Sequence, residues 1–176
     1  MPHFWKSCGT VLIWILISEL LCLVVAFSFA IMSAKWIRWL SLLCGVTAHC
    51  LLMGNCAQKI SAQDAAHYRL TGERTGQMKP LLLAVCGLIP GALTWLLLPL
   101  NPHSVLTMNL FPLLNAPYIQ IYRLIVQGEE TYAALSVLRR MLMAAPTLVT
   151  GAAIWVGYQL AYIPSLAKMD ASSPRS

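Results

Sequence analysis

Residues 55–80, NCAQKISAQDAAHYRLTGERTGQMKP, form the only long polar passage before the C-terminal tail, and apolar blocks of membrane-spanning length lie on both sides of it. That alternation constrains the fold more than any other feature. A helix needs about 20 apolar residues to cross about 30 Å of hydrocarbon at 1.5 Å per residue. The apolar blocks cover residues 9–32, 37–55, 81–100, 105–126 and 141–163. The sequence therefore predicts an all-α, multi-pass transmembrane helical bundle of about five spans. Residues 1–163 are expected to form one integral membrane domain with a cytoplasmic loop over 56–80, and residues 164–176 a flexible tail.

Composition excludes the soluble alternative. Of 176 residues, 10% are charged and 59% hydrophobic, whereas soluble domains carry about a quarter charged residues. Six acidic and twelve basic side chains cannot cover a water-facing surface. The net charge of +6 does not argue for nucleic acid. The excess Lys and Arg lies between apolar blocks, where it sets topology and meets anionic head groups. The partners expected are the lipid bilayer and, beyond it, a membrane protein or a second copy of the chain.

Along the chain, Trp36, Arg38 and Trp39 mark a membrane–water interface, and the short turn before them makes blocks one and two an antiparallel hairpin. A cleavable signal peptide competes for block one, but it would be too long and would contain Glu19. Residues 57–70 contain no Gly or Pro and are expected to continue the second helix beyond the membrane, with Gly72 as a left-handed stop and Pro80 in the first turn of the next helix. Pro112 and Pro117 interrupt block four, and Gly128 ends it. Glu129 and Glu130 are expected at the positive end of a following helix. Pro164 is expected to close block five.

Orientation follows from Lys and Arg in the short loops. With five spans, Lys6, Lys59, Arg69, Arg74, Lys79, Arg123, Arg139 and Arg140 fall on one side, against Lys35, Arg38, Lys168 and Arg175 on the other. That bias predicts a cytoplasmic N-terminus. If block four is re-entrant instead, the split becomes seven to five.

Glu19, near the middle of block one, is the most informative single residue. An acidic group there costs about 2.5–3.5 kcal/mol on insertion scales, so it faces other helices or a water-filled cavity. It is either a proton or cation site, or structural glue between helices. Counting along the helices from the N-terminal side places Asn115 and Thr150 at about the same depth of roughly 15 Å, and His49 and Gln120 somewhat shallower. The same layer holds Pro90–Gly91, Pro112, Pro117 and Pro146. Broken helices with polar groups at the midplane are how transporters build sites; a kinked bundle with a few interhelical hydrogen bonds has the same signature. Glu19, His49, Asn115, Gln120 and Thr150 are the candidate intramembrane polar site. Lys59, Arg69, Arg74, Lys79, Arg123, Arg139 and Arg140 are the candidate lipid or partner face.

Other chemistry has no support in the sequence. HEXXH, GxSxG, the P-loop and the dinucleotide fingerprint are all absent, so no enzyme, cofactor or metal is expected. Cys8, Cys22, Cys44, Cys50, Cys56 and Cys86 include no CxxC pair. They read as small membrane residues rather than a disulfide framework. GLIPG (residues 87–91) and the pair Ala153 and Gly157 have small-xxx-small spacing, which lets helices approach closely. In layout the chain resembles small bacterial membrane proteins, a likeness of architecture that carries over no residues. Two functional classes are expected: first a non-enzymatic accessory or regulatory membrane subunit, and second a small transporter or substrate-binding component using the layer around Glu19.

Overall fold

In the computed structural model the described residues, 2–30, 35–72, 76 and 78–172, are helices and their connections, with no strand among them. Four helices are long and apolar enough to cross a membrane. The first, α1 (Pro2–Ala30), buries Cys8, Val11, Ile15, Ser18, Cys22 and Ala26. These recur every three or four residues and so line one face of a helix. Its other faces keep large apolar side chains exposed, as lipid-facing residues are.

The second, α2 (Lys35–Thr71), is 37 residues long. At 1.5 Å per residue it runs about 55 Å, well beyond a membrane. It ends where Gly72 turns left-handed at φ +71° and its N–H bonds back to the Tyr68 carbonyl. The third, α3 (Lys79–Leu100), starts with Pro80 in its first turn, where a missing N–H costs nothing.

Block four departs from a simple span. It breaks into α4 (Val105–Leu113), a single 3-10 turn Ala116–Tyr118, and α5 (Ile119–Val126). Pro112 and Pro117 remove the N–H groups that a continuous helix would need here. At 9 and 8 residues, each piece rises only about 12–14 Å, less than half the hydrocarbon thickness. Beyond Gln127, which ends α5 left-handed at φ 50°, Glu129 and Glu130 lie in an irregular connector rather than in a helical first turn. A 3-10 turn (Tyr132–Ala134) and α6 (Val137–Leu142), capped by Ser136, lead into α7 (Ala145–Ser172). This last helix does not stop at Pro164: it continues to Ser172, and Ser165 donates to the Ala161 carbonyl beside the proline.

Helix pairing fixes the direction of each element. α7 runs parallel to α2: His49 meets Thr150, Gly54 meets Gly157, and Asp64 meets Tyr158. It runs antiparallel to α3: Gly91 meets Thr147, and Gly87 meets Ile154. Five successive crossings would instead make α7 antiparallel to α2. Both ends of block four lie beside the C-terminal end of α3. Ala133 N–H donates to the Pro102 carbonyl at 2.8 Å, and Trp95 Nε1–H to the Arg140 carbonyl at 3.4 Å. Block four thus enters the bundle and leaves from the same end, and the fifth crossing expected from the sequence is replaced by a broken hairpin.

Small residues set the close contacts. A Cβ on Gly157 would lie 2.6 Å from the Gly54 backbone, and one on Gly91 2.5 Å from the Thr147 side chain. The small-xxx-small stretches therefore pack within the monomer.

Candidate functional site

The tip of the broken hairpin is driven into the centre of the bundle. Residues 115–120 are all buried. Irregular backbone at membrane depth is tolerated only where protein or a cavity satisfies its polar groups. Glu19 supplies one such partner: its Oε2 accepts the N–H of Ala116 at 2.7 Å. Asn115 supplies others. Its Nδ2 donates to Thr94 Oγ1 at 2.9 Å and to the Phe111 carbonyl at 3.0 Å.

Beside this lies an unbroken chain of hydrogen bonds across four elements. Ser18 Oγ on α1 bonds His49 Nδ1 on α2 at 2.7 Å. His49 Nε2 bonds Thr150 Oγ1 on α7 at 2.9 Å. Thr150 Oγ1 bonds Tyr118 Oη of the 3-10 turn at 3.0 Å. With a neutral imidazole, one ring nitrogen donates and the other accepts. Donors pointing from Ser18 to Tyr118, or all from Tyr118 to Ser18, satisfy every bond equally well. Switching between the two directions moves the ring proton from one nitrogen to the other. The Tyr118 and His49 rings meet edge-on, with centroids 5.7 Å apart.

A cavity of about 170 Å³ adjoins both networks. Its polar walls are Glu19, Thr94, Asn115, Tyr118, Thr147 and Thr150, and Gly87, Pro90 and Gly91 complete its lining along α3. Small-molecule sites usually occupy about 300–1,000 Å³. This one suits a few waters, a proton carrier or a small ion, not a metabolite.

Four of the five candidate polar residues therefore meet: Glu19, Asn115 and Thr150 line the cavity and His49 bonds Thr150. Gln120 is buried on α5, outside this bonded chain. Sequence reasoning missed Ser18, Thr94, Tyr118 and Thr147. Ser18 adjoins Glu19 and Tyr118 adjoins Pro117, so proximity to the flagged residues was the available signal.

The candidate basic face is divided between two ends of the bundle. Lys59, Arg69 and Lys79 lie towards the end that holds the N-terminus, while Arg123, Arg139 and Arg140 lie towards the other; Arg74 is outside the described residues. Several are engaged internally. Lys79 Nζ donates to Asp64 Oδ1 at 2.6 Å, and Tyr158 donates to the other Asp64 oxygen at 2.6 Å. Lys59 sits 5.2 Å from the Trp14 ring centroid. Arg139 donates to Gln127, and Arg140 donates to the Ala133 carbonyl. Among the described residues, no three or more His, Cys, Asp and Glu side chains converge as metal ligands.

No protein-family model, curated protein or solved structure matches the chain.

Proposed function

We propose that the protein is a non-enzymatic component of a bacterial cytoplasmic membrane that binds a proton or small monovalent cation at Glu19 and conducts it through the bundle centre. The observation that carries this reading is the cavity of about 170 Å³ between Glu19 and the tip of the broken hairpin. A carboxylate in that setting is the usual mark of a cation or proton pathway. The switchable chain from Ser18 to Tyr118, in the same layer, gives a proton a relay from helix to helix beside the cavity. In this reading the chain crosses the membrane four times, with block four re-entrant. Lys and Arg then divide seven to five, with both termini on the richer, cytoplasmic side.

The accessory-subunit expectation draws on small size, the absence of a catalytic motif and one basic face. The basic residues lie at both ends of the bundle, which weakens the third of these grounds, so the cavity is the stronger guide.

The test is a flux measurement on purified protein in liposomes, with an entrapped pH dye and an imposed pH gradient, repeated with sodium and potassium gradients. The wild type is expected to dissipate at least one gradient faster than empty liposomes, and Glu19→Gln to lose the effect. Equal rates with and without protein for all three cations would overturn the reading.

A further inference from the structure

Cys8 and Cys86 carry free thiols on α1 and α3, 78 residues apart in the chain, and their sulfurs lie 2.9 Å from one another. That is about 0.9 Å beyond a disulfide bond length. Cys8 is buried and Cys86 half-buried. We propose that this pair is a redox modification site: on exposure to a disulfide-bearing oxidant, the two thiols close into a cross-link that staples α1 to α3.

The chemistry is thiol–disulfide exchange. One cysteine thiolate attacks the oxidant's disulfide and releases one thiol. The second cysteine attacks the mixed disulfide and releases the other. One S–S bond is lost and one is made, and the two electrons and two protons leave on the two released thiols. In a reducing cytosol, the compartment assigned to this end under Proposed function, the resting form is the dithiol. The cross-link itself does not depend on that assignment.

Its position gives the staple a consequence. Cys86 directly precedes Gly87, and Cys8 lies two turns before Ile15; both Gly87 and Ile15 line the cavity. The cavity's walls on this side are α1 and α3, so a bond at Cys8–Cys86 holds that seam shut at its N-terminal end.

The experiment treats the full-length protein in lipid nanodiscs with 4,4′-dithiodipyridine, followed by alkylation and peptide mapping without reduction. The expected result is one peptide pair joined through Cys8 and Cys86, two hydrogens lighter than the two free peptides, and restored to free thiols by dithiothreitol. In Cys8→Ser that pair disappears. Recovery of Cys8 and Cys86 in the wild type as free, singly derivatised, or joined to other cysteines would overturn the proposal. This readout is independent of ion flux, so it stands or falls separately from the proposed conduction.

Discussion

The carboxylate of Glu19 accepts the backbone N–H of Ala116 at 2.7 Å, joining the first helix to a turn 97 residues later. One bond thus ties the acidic residue that is costly in a membrane to the unwound backbone that is equally costly there. Each resolves the other's burial. Glutamine at position 19 retains an acceptor for Ala116, so Glu19→Gln is expected to keep nearly full stability. Glu19→Leu strands the N–H and is expected to lose about 1–3 kcal/mol. Unfolding of detergent-solubilised protein, followed by tryptophan fluorescence, separates the two.

His49 and Thr150 form the centre of the four-residue chain. Thr150→Val keeps the side chain's volume but removes the hydroxyl that links His49 to Tyr118. A double-mutant cycle of Thr150→Val with His49→Leu is expected to give a coupling of about 0.6 kcal/mol and no more than about 1.7, the average and the maximum found for interhelical bonds in a membrane protein. A coupling of zero would mean that the two side chains are not bonded in the folded protein.

Gly157 and Gly9 make opposite forecasts from the same residue type. A Cβ at position 157 would meet backbone atoms of Gly54 at 2.6 Å, and backbone has no rotamer to yield. Gly157→Ala is expected to cost about 1–3 kcal/mol as α2 and α7 are forced apart. Gly9 has nothing within 4 Å of that position. Gly9→Ala should be neutral or stabilise by up to about 1 kcal/mol through helix propensity. Thermal unfolding of the two variants side by side checks the contrast.

The broken hairpin makes a topological forecast. His103 and Gln127 flank it, and both are exposed. His103→Cys and Gln127→Cys, each made separately, should react with a membrane-impermeant maleimide from the same side of intact vesicles, with wild type as the blank. Labelling from opposite sides would restore a fifth crossing.

Asp64 is held by Lys79 and Tyr158, with the Asp64 and Lys79 side chains only 11–12% exposed. Removing one charge leaves the other poorly solvated, so Lys79→Met is expected to lose up to about 3 kcal/mol. The double variant Asp64→Asn with Lys79→Met should recover part of that loss. Added salt should change the wild type little, since the pair is shielded from solvent. Denaturation midpoints with and without salt test both statements.

The sequence by itself determined most of the helices, four of them long and apolar enough to cross a membrane. Hydropathy runs of membrane length, the Gly72 stop and the Pro80 start are local properties, and the structure keeps the stop, the start and four of the five runs as long helices. The depth of the polar layer was also legible. A residue near the middle of a span stays near the middle whichever way the helix runs, so Glu19, His49 and Thr150 converge even though α7 runs opposite to the expected direction. What only the tertiary structure decided was the path of block four, and with it the split of the basic residues between two ends. The 22 mostly apolar residues of block four, 105–126, two of them the prolines Pro112 and Pro117, satisfy the length rule for a crossing. Whether such a segment crosses or turns back depends on what bonds its broken backbone and the polar side chain at the break, and those partners, Glu19 for the Ala116 N–H and Thr94 for the Asn115 amide, come from distant helices. The meeting of Cys8 with Cys86 has the same origin. Insertion into lipid is governed by each segment's own composition, whereas satisfaction of buried polar groups and contact between side chains are properties of the packed bundle.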